Sequence, residues 1–151
     1  MTEVTPTTVI ALGRCDHGDD AAALVVADEL RRRLPQYVTL ITSPFSDRTL
    51  HEVCRRHDRV FVIDAMPPGT TPGSIRRIDP RTDELPARRR GPFDVDLADV
   101  VTMVRTDDPG TDALVVYDIE GRWSTPQAGI SPEVAAAAHD LAERILDAVQ
   151  P

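Results

Sequence analysis

Residues 8–30, which read TVIALGRCDHGDDAAALVVADEL, decide the fold of this chain. An apolar run, Val9–Leu12, ends at Gly13, and a short loop rich in Asp leads into a helical pattern that begins at Asp19 and Asp20. A buried strand that feeds a helix in this way is the repeating unit of a parallel sheet. The loop between them lies at the carboxyl end of the strand, where open α/β sheets bind their ligands.

Length and charge narrow the class of protein. The chain has 151 residues, with 25 acidic and 17 basic side chains and a formal net charge of −8. This length predicts one domain over residues 1–151. An acidic chain has no excess of positive charge for binding phosphates, so neither nucleic acid nor a membrane is expected as a partner. No basic segment precedes the N-terminal apolar run, and no window has the roughly 18 apolar residues of a membrane span, so we expect a cytoplasmic protein.

The rest of the chain alternates between strand and helix patterns. The helix after the acidic loop carries one apolar stripe, which runs until Pro35: Ala23, Val26, Ala27, Leu30 and Leu34. Further strands are predicted at residues 37–42, 60–63, 74–78 and 113–119. A last helix begins at Ser131 and Pro132, a cap followed by Pro at the first helical position. This order predicts an α/β fold, a three-layer αβα sandwich whose mostly parallel, twisted sheet has about five strands and helices on both faces.

Two carboxylates are the strongest candidates for chemistry. Asp20 follows the first strand, and Asp64 ends the apolar run Val60–Ile63. A carboxylate at the end of an apolar strand is costly to desolvate unless it is paired or bound to a metal. Together the two could form an acid pair or give two oxygen ligands to a divalent metal. The structural alternatives are that Asp19 or Asp20 caps the next helix, and that Asp64 caps a helix or forms a salt bridge.

Other reactive residues give weaker signals. His17 shares the acidic loop with Asp16 and is the histidine with a claim to a metal, and Cys15 lies in the same loop. The other histidines are expected at the surface: His51, His57 and His139. The loop lacks the glycine patterns that bind phosphate, and no nucleophile elbow is present, so nucleotide binding and Ser/His/Asp catalysis have little support. Trp123 is expected to fill an edge of the domain or to pack over a groove.

Four stretches of the sequence follow one another in a characteristic order. They are the strand, LG, GDD and helix of residues 9–34, VIDAMPPGTTPGSI at 62–75, LADVV at 97–101, and VVYDIEG with AGISPEV at 115–134. In this order they resemble the hydrogenase maturation proteases, endopeptidases that remove a C-terminal extension from the nickel-bearing large subunit of nickel–iron hydrogenase. The resemblance covers most of the chain. It implies an endopeptidase whose partner is a large-subunit precursor or a related metalloprotein.

The resemblance also implies a site. In that family two acidic residues and one histidine bind nickel, and the acids correspond to Asp20 and Asp64 here. These two residues are therefore expected to be both the catalytic and the metal-binding residues of an aspartic-type protease. The nickel is expected to arrive with the substrate, so that only a loaded precursor is cut.

Three positions depart from the family pattern. Arg14 replaces an Asn, and residues 42–46 replace a glycine-rich stretch. The histidine position falls on Phe93, which cannot bind a metal, although Asp94 or Asp96 could supply a substitute oxygen. The alternative function is therefore a non-catalytic relative that acts as a binding or chaperone-like maturation factor. A third interpretation is an unrelated small α/β hydrolase that acts on a small molecule.

Overall fold

The computed structural model describes residues 3–42, 52–53, 59–83, 97–99, 101–102 and 114–150. The elements are, in chain order, β1 (Thr7–Ala11), a 3₁₀ turn (Gly18–Ala21), α1 (Ala22–Leu30), β2 (Val38–Thr42), β3 (Arg59–Met66), β4 (Ile75–Ile78), β5 (Leu114–Glu120) and α2 (Pro132–Val149). Residues 52–53, 97–99 and 101–102 are also helical. Within these ranges no helix is both long and apolar enough to cross a lipid bilayer.

The five strands form one sheet in the order β2-β1-β3-β5-β4. Strands β1, β2, β3 and β5 run parallel, and β4 joins β5 in the antiparallel direction at one edge. The central strands β1 and β3 are buried along nearly their whole length, as expected when both faces of a parallel sheet are covered. The predicted α/β sandwich with a mostly parallel sheet of five strands is confirmed.

An apolar cluster lies on each face of the sheet. On one face α1 and α2 pack against alternate strand residues, which include Val9, Phe61, Ile63, Val115 and Ile119. On the other face the helical residues Val53 and Leu97 pack with the intervening strand residues, which include Ile10, Val62 and Val116. Because successive side chains of a strand point to opposite faces, every residue of β3 and β5 can be assigned to one of these two layers.

Strand β3 is longer than the sequence pattern predicts. It continues to Met66, so Asp64 lies inside the strand and the prediction that it ends the strand is wrong. The reason is β5, which pairs with β3 in register through Asp64 and Asp118 and on to Met66 and Glu120. Backbone hydrogen bonding to a neighbouring strand thus outweighs the unfavourable placement of a charged residue in a buried ladder.

Helices α1 and α2 differ in how closely their ends agree with the sequence pattern. Helix α2 begins as expected, because the Ser131 hydroxyl accepts a hydrogen bond from the Val134 N–H at 3.4 Å and Pro132 is the first helical residue. Helix α1 begins only after the 3₁₀ turn and ends at Leu30. The chain continues as a turn in which Leu34 still packs against the core, so the apolar stripe outlasts the helix.

Candidate acidic site at the carboxyl edge of the sheet

Asp20 and Asp64 lie at the same edge of the sheet on neighbouring segments. Asp20 is in the 3₁₀ turn that follows β1, and Asp64 is in β3, the strand that pairs with β1. The Leu12 N–H donates to the Ile63 carbonyl at 2.8 Å, which carries the pairing up to the residue before Asp64. Only 8% of the surface of Asp20 and 5% of that of Asp64 is exposed. The structure therefore brings the two predicted site residues to one buried location.

A glycine at the end of β1 fixes the backbone of Asp20. The Arg14 N–H donates to the Asp20 carbonyl at 3.2 Å, so the loop returns onto its own beginning. A Cβ atom at Gly13 would lie 2.6 Å from that carbonyl oxygen, which is closer than any ordinary contact. A residue without a side chain is required at this point, because only glycine lets the two backbone segments approach so closely.

Asp19, the neighbour of Asp20, has a carboxylate that accepts four hydrogen bonds. Its Oδ2 accepts from the N–H groups of Arg122 (2.7 Å) and Trp123 (3.2 Å) and from the Ser131 hydroxyl (2.8 Å). Its Oδ1 accepts from the Ser131 N–H at 2.8 Å. The carboxylate thus joins the acidic loop to the loop after β5 and to the start of α2.

The prediction that Asp19 or Asp20 caps α1 is wrong. The residue before α1 is Ala21, and no side chain hydrogen-bonds to the free N–H groups there. The physical reason is competition, because the Asp19 carboxylate is 1% exposed and already accepts four hydrogen bonds from other parts of the chain. Nothing in the local sequence reveals these donors, which are more than 100 residues away along the chain.

Trp123 covers one side of the acidic loop. Its ring Nε1 donates to the Gly129 carbonyl at 2.7 Å, and the Arg122 guanidinium lies 5.3 Å from the centre of the ring. Gly18 faces the ring with a positive φ of 56°, and a Cβ there would lie 2.8 Å from Trp123 Cδ1. The glycine therefore allows both the turn and the close packing of the indole.

The remaining candidates lie on the surface or outside the described residues. His17 Nδ1 is 2.9 Å from the exposed Asp16 Oδ1, and this hydrogen bond lowers the pKa of the Asp16 carboxyl. Cys15 is exposed. His139 is exposed and lies 3.0 Å from Glu29, which confirms its predicted surface position. The other residues considered lie outside the described ranges: His51, His57, Phe93, Asp94 and Asp96.

A further buried carboxylate, which the sequence analysis missed, lies on β5 beside Asp64. Asp118 is the in-register neighbour of Asp64 and is 0% exposed. Its Oδ2 accepts a hydrogen bond from Arg76 Nη2 at 2.8 Å, and this contact raises the pKa of the arginine above its ordinary value. Its Oδ1 is buried and has no hydrogen-bond partner among the described residues. The available signal was a charged residue within the apolar run of β5, where burial is costly.

The described residues of the site offer carboxylate oxygens as possible metal ligands or proton acceptors. In the part of the chain that the structure describes, no group of three or more His, Cys, Asp or Glu side chains is placed to hold a metal. Buried carboxylates can supply oxygen ligands to a divalent cation and can exchange protons with a reacting group.

Comparison with known proteins identifies the fold. The HycI hydrogenase maturation protease of Thermococcus kodakarensis KOD1 superposes with a TM-score of 0.74 and 18% identity, over 97% of this chain and 94% of that one. The hydrogenase maturating endopeptidase HybD of Escherichia coli gives a TM-score of 0.67 and 21% identity, over 95% of this chain and 91% of that one. At these identities the similarity shows a shared fold. A search of curated proteins found no match.

A family model assigns the chain more directly. The model described as hydrogenase maturation protease matches residues 24–148, which is well over half of the chain. The matched range includes Asp64 and Asp118 and begins after Asp20. The match confirms the resemblance seen in the order of the sequence motifs. The chain belongs to the hydrogenase maturation protease family.

Proposed function

We propose that this protein is a maturation endopeptidase that removes the C-terminal extension from a nickel-loaded hydrogenase large-subunit precursor or a related metalloprotein. Membership of the family supports the endopeptidase role. The observation that carries the proposal is the burial of Asp20 and Asp64 on neighbouring segments at one edge of the sheet. Two charged side chains are rarely kept in such a place without a functional or structural partner.

In this proposal nickel is part of the substrate. Two carboxylates alone bind a metal weakly, but they can complete the coordination of an ion that the precursor already holds. Bound nickel would polarise a nearby peptide carbonyl as a Lewis acid. Asp20 and Asp64 would hold the loaded precursor in place, and their burial keeps competing water away from their oxygens. A precursor without nickel would lack this contact and would remain uncut.

The test is cleavage of a defined precursor. We expect purified protein to release a short C-terminal peptide from the nickel-loaded large subunit, detected as a loss of mass, and to leave the nickel-free subunit intact. Asp64→Asn and Asp20→Asn should each lower the rate of cleavage by about 100-fold or more, because an amide oxygen is a weaker metal ligand than a carboxylate oxygen. Asp140→Asn is the matched control, since Asp140 is exposed on α2 and should not affect cleavage. Equal rates for wild type and a correctly folded Asp64→Asn variant would rule out the proposed site.

The second candidate is a binding factor that holds the precursor without cutting it. A departure in the sequence favours it, because the resemblance to the family puts Phe93 at the histidine position and Phe cannot bind a metal. Under this alternative the nickel-loaded precursor co-purifies with the protein and its mass stays unchanged. Release of the peptide by the wild type would exclude it.

A further inference from the structure

Three charged side chains form a row across the sheet at one level. Arg76 on β4 is the register partner of Asp118 on β5, and Asp118 is the register partner of Asp64 on β3. Neighbouring strands lie about 4.8 Å apart, so the row is compact. The row holds two acidic side chains and one basic side chain, and both acidic residues are buried.

The two carboxylates of the row point to the same face of the sheet. Val62 and Val116, two residues before Asp64 and Asp118, both belong to the apolar cluster on the face away from α1 and α2. Because side chains alternate along a strand, Asp64 and Asp118 share that face. Register partners on one face have their Cβ atoms close together, near enough for both carboxylates to reach one cation.

The hydrogen bonds of the pair leave one oxygen to be explained. Asp64 Oδ1 accepts from the Ala65 N–H at 2.7 Å, and Asp118 Oδ2 accepts from Arg76. Arg76 is on β4, the strand on the other side of β5 from β3, and it binds Oδ2 of Asp118, which leaves Oδ1 as the second oxygen of that carboxylate. This oxygen, Oδ1, is buried and lacks a hydrogen-bond partner in the described ranges, a situation that is costly for a charged group.

We propose that Asp64 and Asp118 together form the protein's half of a divalent-cation site, in which the buried Oδ1 of Asp118 supplies an oxygen ligand beside the Asp64 carboxylate. A cation would give the unpartnered oxygen of Asp118 a partner in the buried interior. An all-oxygen pair suits a hard cation of the Mn²⁺ or Mg²⁺ type better than an imidazole-containing site does. The inference rests on the proposed function for its location, since it adds a ligand to the same site, but its test needs no substrate.

Arg76 has a defined part in this proposal. Its side chain is 49% exposed, whereas that of Asp118 is 1% exposed, so the guanidinium approaches the buried carboxylate from the solvent side. It holds Oδ2 and orients Oδ1, but its positive charge also repels a cation bound next to it. Replacing Arg76 by a neutral residue should therefore strengthen cation binding, the opposite of the effect expected for the two aspartates.

The experiment is a calorimetric titration of the full chain with Mn²⁺ alone. We expect the wild type to bind weakly but measurably, and Asp118→Asn and Asp64→Asn each to weaken binding by at least about ten-fold, because each removes one charged ligand. Arg76→Gln should bind several-fold more tightly than the wild type. Asp140→Asn, which alters an exposed carboxylate on α2, should leave the affinity unchanged.

A double variant that neutralises both Arg76 and Asp118 serves as the control for folding. The double variant Arg76→Gln/Asp118→Asn removes both members of the ion pair together, so neither is left without its partner. It should therefore fold as the wild type does and still fail to bind Mn²⁺ tightly. Circular dichroism before each titration checks this. A wild type that does not bind Mn²⁺, or a folded Asp118→Asn variant that binds as tightly as the wild type, would overturn the inference.

The two proposals fail in different ways. If precursor cleavage is absent while Mn²⁺ binding depends on Asp118, the proposed function is wrong and the cation site stands. If cleavage depends on Asp64 while Mn²⁺ binding ignores Asp118, the function stands and the inference about Asp118 is overturned.

Discussion

Two buried aspartates of this protein have opposite surroundings. Asp19, which is 1% exposed, accepts four hydrogen bonds from three residues that belong to the loop after β5 and the start of α2. Asp118, which is 0% exposed, accepts one hydrogen bond from Arg76, and its second oxygen has no partner in the described part of the chain. Burial is the same in the two places, but the number of donors is not.

The difference separates a structural carboxylate from one that is available for chemistry. A carboxylate that accepts several backbone N–H bonds is stabilised in its charged form and holds distant segments together. A carboxylate with an unpartnered buried oxygen costs stability, and such a cost persists when it serves a ligand or a reaction. On this criterion Asp19 supports the acidic loop, whereas Asp118 has an oxygen available to the proposed site.

The largest expected effect comes from making the same change at both positions. Asp19→Asn should lower the free energy of unfolding by about 3 kcal/mol, because the new NH₂ group faces N–H or O–H donors and leaves them unsatisfied in the interior. Asp118→Asn should cost about 1 kcal/mol or less, because the group left behind, Arg76, is half exposed and water can solvate it. Urea unfolding of both variants at one pH measures the difference.

If Asp19→Asn and Asp118→Asn lowered the free energy of unfolding by the same amount, the proposed difference between the two carboxylates would be wrong. Asp140→Asn on the exposed face of α2 sets the baseline for the loss of a charge alone, and a change within about 0.5 kcal/mol is expected there. A large loss for Asp118→Asn would show that its ion pair with Arg76 is a structural element of the sheet.

Much of the fold follows from the sequence, because it depends on local patterns. Apolar runs bounded by turns predicted all five strands, and the pattern at Ser131 and Pro132 predicted the start of α2. The expectation that Asp20 and Asp64 lie at the same edge of the sheet follows from their positions after parallel strands. These features need only the residue types within a short window and the rules for connecting them.

What the sequence did not reveal depends on contacts between distant segments. The donors to Asp19 come from residues 122–131, and no window that contains Asp19 includes them. Asp118 was read only as part of a motif, since its closeness to Asp64 requires the register of β3 against β5. The same register extends β3 past Asp64, which a single strand pattern cannot indicate. Register and long-range hydrogen bonds are properties of the folded chain.

A second prediction concerns the packing that keeps Asp19 in place. Gly18→Ala should cost about 2 kcal/mol, because its φ of +56° strains a residue with a side chain and the new Cβ would lie 2.8 Å from Trp123. Gly129→Ala is the matched control, since nothing lies within 4 Å of a Cβ at that position. It should change the free energy of unfolding by no more than about 0.5 kcal/mol. If the two alanine variants unfold at the same urea concentration, the acidic loop is not held against Trp123.

A smaller effect is expected from the indole itself. Trp123→Phe removes the hydrogen bond from Nε1 to the Gly129 carbonyl and should cost about 1 kcal/mol, measured by urea unfolding followed by circular dichroism. Since Trp123 supports the Asp19 side of the molecule, Mn²⁺ binding to the folded variant should stay as in the wild type. A stable Trp123→Phe variant with weakened Mn²⁺ binding would instead couple the two regions.

The smallest effect is expected where a carboxylate is exposed, and it appears as a dependence on pH. Glu143 on α2 accepts two hydrogen bonds from Arg33, which follows α1, and this contact lowers the pKa of the Glu143 carboxyl below its ordinary value of 4.5. A carboxyl whose pKa is lowered in the folded state stabilises the fold at pH values above its ordinary pKa. This contribution is lost as the pH falls through the pKa of the folded state. The urea midpoints of wild type and Glu143→Gln should therefore differ slightly near neutral pH and converge once the pH has fallen below the pKa of Glu143 in the folded state. Asp16, whose pKa is also lowered, is present in both proteins, so its titration cancels in the difference. If the urea midpoints still differed at low pH, Glu143 would act through packing and not through its charge. The exposure of a carboxylate would then predict its contribution to stability less well than the number of its hydrogen-bond donors does.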